Sequence, residues 1–332
     1  MKRLILLLLA VMLSAGLLIG CGAGGSDSGG ANDGTDDQTE KTEDNGESEA
    51  SSFPVTVTDA LDNEMTLEKK PERIVSVIPS NTEIAFKLGL GEKLVGVSDH
   101  DNYPKEVEDK KRVGGLELNI EAIIDLKPDL VLAHASSAES SGEGLQQIRD
   151  AGVPVFVVSE AKDIEGTYQT IKQIGNVTGT SDKADDVISD MKDDFASIRD
   201  QLDEVDNDER KSVFFEVSPA PKLSTAGTNT FFDALLQVIH ADNAAADMDG
   251  WTPIDPEAVL DMNPDVIVTT YGTAEDNPVD NVLNRDGWGD INAVANENVY
   301  NVDSDLVSRP GPRLTQGAKE LANVVYPDVF DE

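Results

Sequence analysis

Along this chain, short unbroken apolar runs alternate with stretches in which apolar residues recur every three or four positions. The runs RIVSVI at 73 to 78, LVGVS at 94 to 98, DLVLA at 129 to 133 and VPVFVVS at 153 to 159 have the character of parallel strands buried on both faces. Between them the spacing predicts helices. One is opened by Pro79-Ser80-Asn81-Thr82-Glu83, runs to about Leu88 and is ended by Gly89 and Gly91; others cover about 142 to 151 and 163 to 175. The alternation restarts at Ser212 with SVFFEVS and continues through VIVT at 266 to 269 and a strand near 298 to 302. A last helix follows Pro312, with Leu314, Ala318, Leu321, Ala322 and Val325 on its buried face. Ahead of everything, Phe53 to Glu68 alternates apolar and polar residues around Asp62-Asn63 and reads as a hairpin. Alternating strand and helix in two successive sets predicts an α/β chain of two lobes.

A repeat supports the two lobes. NIEAIIDLKPDLVLA at 119 to 133 is matched, 136 residues later, by DPEAVLDMNPDVIVT at 255 to 269. Asn119 and Asp255 stand where helix N-caps belong, Pro256 suits the first helical position, and Glu121 and Glu257 fall in the first turn, near the positive end of the helix dipole. Lys127 and Asn263 precede prolines, which expels them from the α region and ends each helix before a buried strand. Similarly, Asn229-Thr230 in STAGTNTFFDALLQVI takes the place of Asn81-Thr82.

Between the two sets lies one long amphipathic stretch. With Ser181 as its expected cap, Ala184, Val187, Ile188, Met191, Phe195, Ile198 and Leu202 form a single apolar stripe free of glycine and proline. Such a helix would join the lobes with little hinge freedom.

The first 52 residues change the picture. Met1-Lys2-Arg3 and the apolar run Leu4 to Ile19 form a signal peptide, a little short for a membrane span. The run ends in Leu18-Ile19-Gly20-Cys21, which resembles a bacterial lipobox, so Cys21 is expected to be lipidated. It is the single cysteine in 332 residues, which excludes a disulfide within the chain, a thiolate metal cluster and a catalytic thiol. Residues 22 to 52 contain no aromatic or large aliphatic side chain and read as a disordered acidic tether. The expected organisation is therefore a signal peptide over 1–20, a tether over 21–52, an N-terminal lobe over 53–180, a linking helix over 181–205 and a C-terminal lobe over 206–332. A net charge of −38, from 64 acidic and 26 basic residues, excludes nucleic acid as a partner and argues against direct adhesion to anionic lipid. A lipid-anchored enzyme is the rival class, but G-x-S-x-G, H-E-x-x-H, Cys/His clusters and the G-x-x-x-x-G-K-[ST] loop are all lacking.

The landmarks RIVSVIPSNTE, GLGEKLVGVSDHDNYP, LNIEAIIDLKPDLVLA, WTPIDPEAVLDMNPDVIV and SRPGPRLTQGAKELA lie in order along the chain. Together they resemble the substrate-binding lipoproteins of ABC importers for cobalamin, iron-siderophores and haem, specifically the cobalamin-binding branch. The resemblance implies the class III periplasmic-binding-protein fold: two Rossmann-like lobes joined by a single long backbone helix, with the ligand in the cleft between them. It implies that Glu121 and Glu257 dock onto arginines of an ABC permease dimer served by cytoplasmic ATPase subunits. It also implies anchorage to the outer face of the cell membrane through Cys21, no intrinsic cofactor, and cobalamin as the transported ligand, with a ferric siderophore or haem as the alternative.

Strand ends carry ligands in open α/β sheets. The candidates are Ser80, Asn81, the loop from Asp99 through His100 to Tyr103, Gly115, His134, Trp251 and Arg309. In cobalamin-binding relatives aromatic rings pack the corrin from both sides; Trp251 matches one such position and Arg309 a cleft arginine. Gly115 and His134 stand where a tryptophan is expected, and His100 replaces a tyrosine. His100 or His134 is a candidate axial ligand for the metal of a bound cofactor, against the alternative of an ordinary polar surface residue. His240, after an apolar helix, reads as a packed or capping residue.

Overall fold

A computed structural model describes residues 53–203, 205–206, 209–272 and 277–330. The expectations for the signal peptide, the tether and Cys21 lie outside these residues. Strands β1 (Val55–Thr58) and β2 (Glu64–Leu67) form the antiparallel hairpin turning at Asp62, whose φ of 61° suits a tight turn. The first lobe then runs β3 (Ile74–Ser76), α1 (Pro79–Lys87), β4 (Leu94–Val97), β5 (Lys111–Arg112), α2 (Ile120–Asp125), β6 (Leu130–His134), α3 (Ala135–Asp150), β7 (Val155–Val158) and α4 (Ile164–Thr178). Its sheet is parallel throughout, in the order β5-β4-β3-β6-β7. Then α5 (Ser181–Leu202) carries the chain across.

The second lobe comprises β8 (Ser212–Glu216), β9 (Ser224–Ala226), α6 (Phe231–Val238), β10 (Asp242–Asn243), β11 (Trp251–Pro253), α7 (Pro256–Met262), β12 (Val266–Thr269), α8 (Pro278–Leu283), α9 (Asn292–Ala295), β13 (Val299–Asn301), α10 (Ser304–Ser308) and α11 (Leu314–Val325). Its parallel sheet has the order β10-β8-β12-β13, the same winding as β4-β3-β6-β7. Even the register is shared: Ile74 lies opposite Leu130, and Val213 opposite Val266, the residue 136 positions later. The invariant acids of the repeat explain this. A carboxylate oxygen of Asp129 accepts from the Glu72 and Arg73 amides (2.9 and 3.1 Å), and that of Asp265 accepts from the Ser212 amide (3.0 Å), so each pins its strand to the start of its central neighbour. Lys127 and Asn263, ahead of the prolines, both adopt left-handed backbone, with φ of 46° and 45°.

All seven stripe residues of α5 are buried, from Ala184 to Leu202. The helix is about 33 Å long at 1.5 Å per residue. It packs on α4 of the first lobe and α11 of the second, inside one hydrophobic cluster that draws residues from both. Each lobe adds a separate cluster on the far face of its sheet.

Several boundaries differ from expectation for identifiable reasons. Helix α1 begins at Pro79 with Ile78 as its extended cap residue, so Ser80 through Glu83 lie inside the helix and do not cap it. Ser181 is the first helical residue of α5, preceded by Thr180, and neither side chain caps it. Asp255 holds the N-cap position of α7 without a side-chain bond, whereas the Asn119 carboxamide accepts from the Ala122 amide at 3.0 Å. Helix α3 starts at Ala135, seven residues before 142, because His134 caps it through its ring nitrogen. Helix α11 starts at Leu314, two residues beyond Pro312, after a turn.

Candidate ligand-binding site

The carboxyl ends of β3, β6 and β7 face loops of the second lobe across a cavity of about 490 Å³, within the usual range for ligand sites. From the first lobe come Ser80, His134 and the segment Glu160 to Lys162; from the second come Asn229, Trp251 and Arg309. Four expected residues, Ser80, His134, Trp251 and Arg309, therefore share one wall-to-wall space.

Trp251 is held from behind. Its ring meets Phe232 edge-on at 5.1 Å between centroids, and Phe232 stacks on buried Phe215 at 4.4 Å. The outer face of Trp251 nonetheless stays 53% exposed. A rigid aromatic surface open to solvent on one side is suited to receiving an apolar planar group.

Asn81 is buried, and its side-chain amide donates to the Ala133 carbonyl at 2.9 Å. It fixes the end of β6 beside His134 and does not line the cavity. His100 and Gly115 also lie outside the lining but meet each other. A Cβ on Gly115 would come within 2.7 Å of His100 Nε2, so the glycine provides the space in which the imidazole lies. The loop carrying His100 is shaped by Asp101, whose carboxylate accepts from the Ser98 amide and hydroxyl, both at 2.7 Å. Tyr103 lies on a second cavity of about 250 Å³, with the Arg313 guanidinium 4.1 Å above its ring.

Arg309 is already engaged. It donates to Glu83 at 2.9 Å and to the side-chain oxygen of Asn102 at 2.7 Å, and pairs with Asp305 at 2.8 Å. Arg313 adds a forked pair to the same Glu83, at 2.8 and 2.6 Å. Glu83 belongs to α1 of the first lobe, and both arginines to the end of the second. The cluster is thus a buried clamp between lobes, and it leaves no unneutralised guanidinium facing the cavity. Sequence reading missed Glu83 because it resembled a local helix-capping acid; its one signal was the apolar Ile84-Ala85 that follows it, the start of a buried face.

His134 is 4% exposed. Its Nδ1 accepts from the Ser136 amide at 3.2 Å and lies 2.8 Å from the Ser136 hydroxyl. Burial pushes its pKa below the usual 6.5, opposed by the nearby carboxylate of Glu160. The unfolded chain therefore binds a proton near pH 6.5 that the folded chain binds only at lower pH, so stability rises with pH through that window. Acidification below pH 6.5 should cost up to about 1.4 kcal/mol per pH unit through this one group. In urea titrations at pH 7 and pH 5.5, the wild type should lose more stability than His134→Asn; equal losses would contradict the assignment.

Glu121 and Glu257 are both exposed, each the second residue of its helix, α2 and α7. Each helix leads back to a strand parallel to its neighbours, so its N-terminus lies at the carboxyl edge of the sheet, the edge that carries the cleft. Among the described residues no helix is long and apolar enough to cross a membrane, and no group of three or more His, Cys, Asp or Glu side chains is arranged to hold a metal ion.

Residues 74–306 match the family model of the periplasmic binding proteins. The chain is 44% identical over 323 residues to the uncharacterized ABC transporter substrate-binding lipoprotein YvrC of Bacillus subtilis, covering 97% of each. It is 30% identical over 285 residues to a cobalamin-binding protein of Halobacterium salinarum, covering 83% of this chain and 75% of that one. A possible iron-binding (periplasmic solute-binding) protein from Staphylococcus epidermidis superposes with a TM-score of 0.72 at 40% identity, over 78% of this chain and all of that one. Two lobes of identical winding, bridged by α5 and facing each other across one cavity, are what such likenesses lead one to expect, and the chain belongs to the periplasmic binding protein family of substrate-binding transport proteins.

Proposed function

We propose that this protein captures a corrinoid, cobalamin foremost, between its lobes and delivers it to an ABC permease dimer whose ATPase subunits act in the cytoplasm. A lipid on Cys21 holds it at the outer face of the membrane, with residues 22–52 as the tether. The observation that carries the ligand choice is Trp251: a ring fixed by Phe232 yet open toward the cavity. The charge pattern agrees. Arg309 is spent on Glu83 and Asp305, and the carboxylates of Glu160 and Asp249 outnumber the one remaining cation of the lining, Lys162, so an anionic siderophore gains little attraction. The likeness to a cobalamin-binding protein of Halobacterium salinarum supports the same reading. In this account Ser80, His134 and Trp251 contact the ligand, whereas Asn81, His100, Gly115 and Tyr103 shape the surrounding loops. Glu121 and Glu257 dock the two lobes onto the permease.

The likeness to a possible iron-binding protein favours a second reading, a ferric siderophore or haem in the same cleft. Calorimetric titration with cyanocobalamin, haemin and a ferric hydroxamate separates them. Cyanocobalamin should bind at least about 100-fold more tightly than the other two, a difference of about 2.7 kcal/mol; tighter binding of either iron ligand would replace the corrinoid reading.

A further inference from the structure

Among the described residues, Nε2 of His134 is one of four buried side-chain nitrogen or oxygen atoms with no hydrogen-bond partner, and it alone of these belongs to a residue lining the 490 Å³ cavity. Its protonation follows from its neighbour. A backbone amide can only donate, so the bond from the Ser136 amide requires a lone pair on Nδ1. A neutral ring with its lone pair on Nδ1 carries its proton on Nε2. The orphaned atom is therefore a donor kept from water and from any acceptor of the protein, an unfavourable state that a ligand oxygen would relieve.

On the reading of the cleft given above, we infer that His134 binds the ligand as a hydrogen-bond donor, presenting Nε2–H to a carbonyl or carboxylate oxygen, and does not coordinate its metal. Coordination through Nε2 would need the proton moved to Nδ1, where the Ser136 hydroxyl could accept it but the bond from the Ser136 amide, which caps α3, would be lost. The site therefore suits a ligand that carries an oxygen acceptor, such as a side-chain amide or carboxylate, within reach of His134.

Two variants separate the roles of the ring. Asn is a good N-cap, so His134→Asn keeps the start of α3 but is too short to place a donor at Nε2. His134→Gln reaches about as far as Nε2 with an amide donor. Wild type and both variants are titrated with cyanocobalamin, haemin and a ferric hydroxamate, with thermal melts confirming folding. For the probe that binds, His134→Asn should weaken affinity about tenfold and His134→Gln should return to within about threefold of wild type. The visible absorption bands of the bound metal centre should be the same in all three proteins. In ligand-free protein, long-range proton–nitrogen NMR should show the Nε2–H tautomer. Unchanged affinity in His134→Asn, absorption bands that shift when the histidine is lost, or an Nδ1–H tautomer would each overturn the inference alone. If none of the probes binds wild-type protein, the cleft reading itself falls, and this inference with it.

Discussion

Reversing Glu121 and Glu257 together, by Glu121→Arg with Glu257→Arg, should abolish uptake of the ligand by whole cells while its affinity for the purified protein stays within about twofold. The two acids sit in equivalent first turns of equivalent helices, both exposed and both on the cleft-bearing edge. Because α5 and the Glu83 clamp fix the lobes, their separation is held nearly constant. On the proposed docking to arginines of the permease, each reversal replaces attraction by like-charge contact, which costs several kcal/mol. Folding would suffer little, since an acid at a helix N-terminus contributes about 0.3–1 kcal/mol. Each single reversal should leave partial uptake. Transport at the wild-type rate by the double variant would show that these acids serve only their helix dipoles.

The second large effect is on stability. Glu83→Ala removes the one carboxylate shared by Arg309 and Arg313, whose side chains are only 16% and 12% exposed. Leaving buried guanidinium groups short of a partner costs about 3–5 kcal/mol. Asp305 still pairs with Arg309, so a loss of about 3 kcal/mol in urea unfolding is expected. Exchanging the three buried charges for apolar residues, Glu83→Met with Arg309→Met and Arg313→Leu, should restore part of that loss, because a buried ion pair is seldom more stable than well-packed side chains and Asp305 keeps its bond from the Asn102 amide. A loss below about 1 kcal/mol in Glu83→Ala would mean that solvent reaches the clamp and screens it. Glu83→Ala should also leave two guanidinium groups against the single Asp305 carboxylate beside the cavity and so raise affinity for anionic ligands.

These two effects also mark what was legible in the chain and what was not. The repeat was legible because Pro128 and Pro264, Asp129 and Asp265, and the apolar runs after them are local requirements of a helix, a turn and a buried strand. The same local rules produced matched sheets. The stripe of α5 was legible because burial of one face imposes its own period. The clamp was not, since Glu83 and Arg313 are 230 residues apart and nothing near either one demands the other. Ser80 and Glu83 have the spacing of a capping box, but α1 opens one residue earlier at Pro79, and its acid is drawn to two guanidinium groups instead. Of the cavity lining, Ser80 and His134 were legible because they follow buried strands, and Trp251 and Arg309 because their motifs match family positions. Asn81 is buried in α1 on the Ala133 carbonyl, His100 lies exposed against Gly115, and Tyr103 lines the second cavity, placements that depend on side-chain directions no pattern records.

The claim that the ligand seats against Trp251 in the interlobe cleft is tested most directly by tryptophan fluorescence. There are two tryptophans; Trp288 is buried under the Arg285 guanidinium at 4.1 Å, and Trp251 is the exposed one at the cavity. Cyanocobalamin should quench wild-type emission saturably, and Trp251→Ala should abolish that quench while weakening calorimetric affinity about tenfold, in line with the loss of one good stacking surface. An equal quench and equal affinity in Trp251→Ala would place the ligand away from the cleft and contradict the account.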